Sequence, residues 1–312
     1  MHQSTSQVKD LLHGTLLEGA AVSEWWPFDS RQNVLLVELQ PSTALQSWAI
    51  LRSLVPVTGR YPVIATLTDI DMNFQERQPL ESELYPGDPQ QEVIAAARLI
   101  DGHTELAAHR MSRGDSPTVT TGLFDWMYVP IDHWNHELGK MLERFGAYPS
   151  VEEIHALRRD NVLRTDVDLE RWLLRWEIEH FGEAAITSPH SSNFDWRAFD
   201  DPAGYVAVLL PTPHSWEGIA YMGWWGAIDR RVETAAAMRN WQERYGAELV
   251  CSFTTTLELQ VSRRPATLDE AFDLAIEHTH FAPDATLLGG ISLRDYARSL
   301  YALDHWWLWC KP

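Results

Sequence analysis

The stretch that decides the fold spans residues 209–261, LLPTPHSWEGIAYMGWWGAIDRRVETAAAMRNWQERYGAELVCSFTTTLELQV. Within it, apolar side chains recur at helical spacing over residues 232–245, and Gly246 follows where glycine commonly ends a helix. The run Glu248–Phe253 and residues 256–261 are rich in alternating apolar and β-branched residues, which is typical of strands. A helix followed by two short strands predicts an α+β fold, with mixed sheets packed against amphipathic helices.

The flanking sequence predicts further strands and helices. Short apolar runs at Val34–Leu39, residues 62–67 and Tyr205–Leu210 predict buried strands. Residues 216–222 and 305–310 predict two more strands, whereas residues 1–24 show only a loose helical pattern. Apolar spacing and capping sequences predict helices at residues 44–52, 92–99, 271–280 and 292–301, with two more beginning after Ser150 and at Asp168.

One polar segment predicts a division of the chain. Residues 191–204 are rich in Ser, Asn, Asp and Pro, which is typical of a linker. We expect this linker to separate an acidic α+β region, residues 1–190, from a C-terminal α+β domain, residues 205–312. Whether the first region is a domain of its own stays open at this point.

The chain is strongly acidic, with 44 acidic residues against 25 basic ones and a net charge of −19. Residues 1–204 hold 31 acidic and 16 basic residues, whereas residues 205–312 hold 13 and 9. Nucleic-acid sites need a basic surface that releases counterions from phosphates, so we expect no nucleic-acid binding. If charge attracts a partner, the partner is a basic protein and the N-terminal two-thirds attracts it. The alternative is an acidic surface that only keeps the protein soluble.

The cysteines and the N-terminus bear on the cellular compartment. Cys251 and Cys310 are far apart and lie in no CxxC or Cys/His array, so we expect two buried, reduced thiols. The N-terminal residues lack the apolar core of a signal peptide, and no run approaches the ~20 apolar residues that span a bilayer. We therefore expect a cytoplasmic protein without membrane contact.

The last third of the chain carries an ordered set of landmarks. They are Leu210-Pro211-Thr212-Pro213, Trp216, Ala220-Tyr221, Gly223–Gly226, Trp241, Tyr245-Gly246-Ala247-Glu248, Glu258-Leu259, Arg264-Pro265, Glu270-Ala271, Pro283-Asp284 and Trp306–Trp309. In this set the chain resembles a bacterial family known as domain of unknown function 4253, over residues 205–312. The sequence departs from the family pattern at Trp224-Trp225-Gly226-Ala227 and at Phe281-Ala282. The resemblance implies a fold unit and carries no activity with it.

Several polar groups invite a metal or acid–base interpretation. His133, His136 and Glu137 would share one turn of a helix, whereas His278 and His280 would point apart on one. Asp69 with Asp71, or Asp166 with Asp168 and Glu170, would supply oxygen ligands or paired carboxylates. Chance spacing accounts for the histidine pairs, and helix capping accounts for Asp166 and Asp168. We therefore predict no metal site, no cofactor and no catalytic residue, also because GxSxG, GxGxxG and GxxxxGK[ST] are all absent.

An aromatic group supplies the candidate binding residues. Tryptophan and tyrosine dominate the energetics of many interfaces, although most rings in a set this large will be core. Adjacent tryptophans in an extended chain point to opposite faces, so one ring of each pair should face outward. The candidates are Trp216, Tyr221, Trp224, Trp225, Trp241, Tyr245, Trp306, Trp307 and Trp309, together with Glu248.

Charge asymmetry and surplus tryptophan together favour a non-catalytic, protein-binding role. In this hypothesis the acidic N-terminal part docks a basic protein, as an immunity or antitoxin-like protein docks a toxin. One alternative is an enzyme or small-ligand-binding protein with a pocket at the C-terminal aromatic cluster, where Glu248, Glu258 or His214 supplies polar groups. Another is an oligomeric scaffold. The sequence does not decide the oligomeric state.

Overall fold

Seven strands form one mixed sheet in the part of the chain that the structure describes. The computed structural model describes residues 4–26, 32–70, 89–112, 139–186, 195–196, 199–227, 230–287 and 291–311. The α+β class predicted from the sequence is confirmed. The strands are β1 (Val22–Trp25), β2 (Val34–Leu39), β3 (Tyr61–Thr66), β4 (Tyr205–Leu210), β5 (Glu248–Phe253), β6 (Thr256–Gln260) and β7 (His305–Trp309).

The strand order joins distant parts of the sequence. It runs β1-β2-β4-β3-β5-β6-β7, so β4 lies between two strands from the first 70 residues. All neighbouring pairs are antiparallel except β3 with β5, where Ile64 faces Cys251 in a parallel pair. All residues of β3 and β4 are buried, which explains their uninterrupted apolar sequences. β1 and β7 are the outer strands.

The helices surround this sheet or form a separate group. The long predicted helices agree with the structure to within a few residues. The helices are α1 (Thr5–Leu12), α2 (Ala44–Ser53), α3 (Val55–Thr58), α4 (Pro89–Ala97), α5 (Gly102–Ser112), α6 (Val151–Arg159), α7 (Asp166–Phe181), α8 (Glu183–Ile186), α9 (Gly218–Tyr221), α10 (Arg231–Tyr245), α11 (Leu268–Phe281), α12 (Asp284–Leu287) and α13 (Leu293–Ala302).

The chain divides into two compact units, each assembled from separate segments. The first comprises Met1–Glu105, Asp195–Arg263 and His305–Pro312, and it contains the whole sheet. The second comprises Leu106–Phe194 and Arg264–Asp304, and its described elements are all helices. Each unit therefore draws on both sides of residues 191–204.

Local sequence signals fix the ends of several helices. Ser150 accepts a hydrogen bond from the Glu153 N–H at 3.0 Å, and Thr267 accepts one from Glu270 at 3.1 Å, as the capping sequences predict. Gly246 ends α10 with a φ of 61°, a left-handed conformation that glycine adopts without strain.

One predicted strand is wrong, and one observed strand was missed. Residues 216–222 form no strand; a 3-10 turn at Ser215–Glu217 continues into α9. A short apolar run does not distinguish the two structures by its periodicity, and Gly218 allows the helical path to pack closely on Leu210 and Leu249. β1 was missed because its burial does not alternate: Ser23 and Glu24 are both exposed.

The second unit has an apolar core next to a buried ionic cluster. The apolar core consists of Met141, Ile154, Leu163, Leu169 and Leu173. Four buried side chains join α7 to α13, and we call them the ionic cluster: Glu170, Glu177, Arg294 and Arg298.

The ionic cluster follows from the spacing of charges on two helices. Glu170 and Glu177 lie seven residues apart on α7, and Arg294 and Arg298 lie four apart on α13, so each pair shares a face. Arg294 Nε donates to Glu177 at 2.9 Å and its Nη1 to Glu170 at 2.5 Å. Arg298 binds the other oxygen of Glu177, and its Nε donates to the Ala185 carbonyl at 2.5 Å.

Candidate functional site

Three of the aromatic candidates form a closed cluster in the sheet unit. Trp306 of β7 lies edge-on to Trp241 at 6.0 Å and to Tyr245 at 5.5 Å between ring centroids. Trp241 and Tyr245 are four residues apart on α10 and therefore share a face. All three rings are buried, so they are core residues and leave no ring for a ligand.

The two tryptophans of the turn before α10 lie in opposite environments. Trp224 is buried, whereas 43 % of Trp225 is exposed. The backbone makes a 3-10 turn here, in agreement with the turn-forming sequence Gly223–Gly226. Gly226 is required because a Cβ there would lie 2.3 Å from the Trp224 indole. The Trp225 N–H donates to the Thr254 carbonyl at 2.8 Å, which fixes the turn against the β5–β6 hairpin.

The other face of β7 carries a second aromatic group. Trp307 and Trp309 are partly exposed and stack at 5.9 Å, as residues two apart on a strand can. On the same face, Trp196 stacks on the buried His305 at 3.9 Å, and His305 Nε2 lies 3.7 Å from a carboxylate oxygen of the buried Glu258. The terminal aromatic strand thus contributes to both faces of the sheet.

Glu248 pairs with an arginine from far upstream in the chain. Arg52 of α2 binds both carboxylate oxygens of Glu248, with Nε at 2.8 Å. This hydrogen-bonded carboxylate raises the pKa of Arg52 despite partial burial of the guanidinium. The buried Tyr61 lies below Arg52, and burial raises the pKa of its phenol. The group joins α2 to the start of β5 and acts as a clamp.

The Leu-Pro-Thr-Pro landmark builds a corner at the end of β4. Thr212 donates its hydroxyl proton to Glu217 and accepts from the His214 N–H at 3.1 Å. Trp216 and Tyr221 are both buried beside this corner, and Tyr221 accepts from Gln91 at 2.8 Å. The corner gives the landmark residues a structural role, since they hold the chain as it turns from β4 into α9.

Arg98 completes the corner. Its Nη2 donates to Glu217 Oε1 at 2.7 Å, and its guanidinium carbon lies 5.8 Å from the centre of the Trp216 ring. The Glu217 side chain is only 6 % exposed, whereas that of Arg98 is 56 % exposed. We refer to Thr212, Trp216 and Glu217 as the Glu217 corner.

Asp69 has a structural role in the helical turn that directly follows β3. Its two oxygens accept from the N–H and hydroxyl groups of Thr66 and Thr254, at 2.5 to 3.2 Å. Four donors on one carboxylate hold the end of β3 against the β5–β6 turn and occupy the oxygens that acid–base work would need. Its proposed partner Asp71 lies outside the described residues.

The other metal candidates separate in the structure or lie outside its description. Among the described residues, no three His, Cys, Asp or Glu side chains come close enough to hold a metal ion. His278 is buried with Nδ1 2.9 Å from the Tyr296 hydroxyl, and Asp168 accepts from the Thr165 N–H in a capping box. His133, His136 and Glu137 fall outside the described ranges.

Cys251 and Cys310 are buried and not joined by a disulfide, as expected from their spacing. None of the helices in the described ranges combines the length and the apolar character needed to cross a lipid bilayer.

The residues that sequence reasoning missed are cations that pair over long distances in the chain. Arg52 and Arg98 are separated from their glutamates by 196 and 119 positions. Periodicity describes neighbours on one element, so it carries no signal for such pairs. An arginine within an otherwise apolar or helix-forming segment is the only available hint.

Comparison with known proteins identifies the C-terminal third. No curated protein and no solved structure matches the chain. The family and the position inferred from the landmarks are confirmed. Residues 206–310, roughly a third of the chain, match the model of the family described as domain of unknown function (DUF4253).

Proposed function

We propose that the protein works by non-catalytic binding of a basic protein, in the manner of an immunity or antitoxin-like protein. The surface that carries this proposal is the outer edge of β1, which lies in the acidic N-terminal part of the chain. It combines a strand edge that no other described strand pairs with, an exposed aromatic ring and an excess of exposed acidic side chains.

The strand edge supports recognition of an extended segment. β1 pairs with β2 on one side and is the last strand of the sheet on the other, as far as the described residues go. Such an edge presents backbone N–H and C=O groups that an incoming strand can pair with. Ser23 and Glu24 on β1 are exposed, and so is 61 % of Trp26, which follows directly.

The charge around this edge favours a basic partner. Four acidic side chains are exposed on β1 and its flanking elements, and residues 4–26 and Val34–Leu39 supply only Lys9 as a basic counterpart. Like-charged neighbours discourage the edge from pairing with another copy of itself while they attract lysine and arginine. The acidic residues are Asp10, Glu18, Glu24 and Glu38.

The test compares the amount of a basic partner protein that is captured by the full-length protein and by an edge variant. The edge variant carries both Glu24→Lys and Trp26→Ala. Val57→Ala is the control, because it removes an exposed apolar side chain elsewhere in the same unit and Val57 is not a candidate binding residue. We expect one basic protein to be retained by the wild type and the control and lost by the edge variant.

Titration of that purified partner at low and high salt completes the test. A charge-steered interface should lose affinity by about tenfold or more as salt is raised. Capture that the edge variant leaves unchanged, or an affinity indifferent to salt, contradicts the proposal.

A further inference from the structure

The Glu217 corner holds a buried carboxylate whose cationic partner, Arg98, is exposed at the surface. Glu217 lies beneath the end of β4 with its side chain 6 % exposed, and it accepts hydrogen bonds from Thr212 and from Arg98. A carboxylate without water is costly unless a cation and hydrogen-bond donors replace its hydration. The corner therefore requires a cation at this position.

The geometry of the corner suits a guanidinium group. The carboxylate accepts one N–H at 2.7 Å, and the Trp216 indole lies 5.8 Å from the guanidinium carbon. Guanidinium combines directional N–H donors with a weakly hydrated planar face that attracts aromatic rings. A lysine ammonium is more strongly hydrated and has no planar face, so it would satisfy the carboxylate but gain less from the indole.

Arg98 is attached in a way that permits exchange. It lies in the turn directly after α4, and its side chain is 56 % exposed, so water reaches the guanidinium while the carboxylate stays covered. Glu217, Thr212 and Trp216 all belong to the segment that matches DUF4253, whereas Arg98 lies outside it. The corner is thus built by one part of the chain and filled by another.

We propose that the Glu217 corner is a binding site for the guanidinium group of an arginine side chain, which Arg98 occupies from within the chain and which an arginine of a partner can occupy instead. This site is separate from the β1 edge and does not depend on it. Because Arg98 is tethered beside the site, it competes with any external arginine. The apparent affinity for that arginine is the intrinsic affinity multiplied by the fraction of time that Arg98 leaves the site open.

The experiment removes the internal competitor and supplies an external one. N-acetyl-arginine methylamide is titrated by calorimetry into the wild-type protein and into Arg98→Ala, and the midpoint of thermal unfolding is recorded with and without it. We expect saturable binding to Arg98→Ala, at least about tenfold weaker binding to the wild type, and a rise in the unfolding midpoint of the variant alone.

Two controls test the chemistry of the site. The lysine analogue, N-acetyl-lysine methylamide, should bind Arg98→Ala more weakly than the arginine compound does. Adding Glu217→Gln to Arg98→Ala should abolish binding of both, because it removes the charge that the cation neutralises. Arg52→Ala breaks a different Arg–Glu pair of the same unit and should not increase binding of the arginine compound.

The proposal can still be tested if the Arg98→Ala variant does not fold. If Arg98→Ala is unfolded, Arg98→Lys keeps a cation in place, and the arginine compound should bind it more tightly than the wild type. Four results would each overturn the proposal. The arginine compound could bind the wild type and the variant equally, fail to bind a folded variant, or still bind after Glu217→Gln. The fourth is that both variants are unfolded and the compound does not restore their folding.

Discussion

The two units of the chain bury very different interiors. The sheet unit has closely packed apolar and aromatic side chains at its centre, such as Trp241, Tyr245 and Trp306. The helical unit places the charged ionic cluster beside its apolar core. Packing of apolar groups tolerates small adjustments, whereas a buried charge that loses its partner has no replacement for it. We therefore expect a conservative substitution in the aromatic interior of the sheet unit to lower the free energy of unfolding by less than the loss of one partner from the ionic cluster does.

The largest expected effect concerns the sheet unit and its dependence on upstream strands. A fragment of residues 205–312 contains β4 to β7 but lacks β2 and β3, which pair with both sides of β4 and with one side of β5. Buried strand edges without hydrogen-bond partners are strongly unfavourable and invite aggregation. We expect this fragment to show no cooperative unfolding transition, measured by circular dichroism and calorimetry.

The full-length protein is the control for that fragment. A soluble, monomeric fragment with a cooperative transition would mean that residues 205–312 complete a sheet without the upstream strands.

The next effect tests the ionic cluster. Glu177→Ala leaves Arg298 and Arg294 buried with fewer acceptors, and breaking a buried pair in this way costs about 3–5 kcal/mol. Chemical denaturation measures the free energy of unfolding. Glu179→Ala, an exposed change two residues along the same helix, should alter it by no more than about 0.5 kcal/mol. Equal effects of the two substitutions would show that the cluster contributes nothing to stability.

This contrast also explains how far the sequence predicted the molecule. Apolar spacing predicted β2 to β7 and the long helices, because burial on one face imposes a period on neighbouring residues. It did not predict that β3 lies between β4 and β5, since pairing over such distances depends on the whole fold. Periodicity also missed the ionic cluster: Glu170 and Glu177 have the residue types of a solvated helix face.

The candidate site was predicted less well than the fold, for a related reason. The family landmarks led to Trp216 and Glu248. The arginines that contact them, Arg98 and Arg52, come from distant segments of the chain. Aromatic density was a poor guide to exposure: Trp224 is buried, whereas the adjacent Trp225, which begins the 3-10 turn, is 43 % exposed. The spacing of Cys251 and Cys310, in contrast, was enough to predict two buried thiols.

A smaller effect is expected when the aromatic interior of the sheet unit is altered. Trp306→Phe keeps an aromatic ring near Trp241 and Tyr245 but removes volume from a buried site, so it should cost about 2 kcal/mol. Trp225→Phe is the matched control, because the same exchange at a ring 43 % exposed should cost no more than about 0.5 kcal/mol. If Trp306→Phe is as harmful as Glu177→Ala, the two interiors do not differ in the way we describe.

The smallest effect is a dependence on pH at the border of the ionic cluster. Asp295 is largely buried, and burial alone would raise its pKa, but Arg294, Arg298 and Arg144 outweigh this and hold the pKa below the ordinary value of 3.8. The unfolded chain therefore binds more protons than the folded one between these two pKa values. The stability that Asp295 contributes is complete above pH 3.8 and is lost as the pH falls through the lower, folded-state value.

Asp295→Asn tests this dependence, because the amide is uncharged at every pH. We expect the free energy of unfolding of the variant to lie below that of the wild type at neutral pH and the difference to shrink as the pH falls below 3.8. The effect should be smaller than that of Glu177→Ala because Asp295 keeps some contact with water. Asp269→Asn, at an exposed ion pair with Arg175, should show little difference at any pH. A constant gap between Asp295→Asn and the wild type across the acid range would mean that hydrogen bonding to Asp295, rather than its charge, stabilises the start of α13.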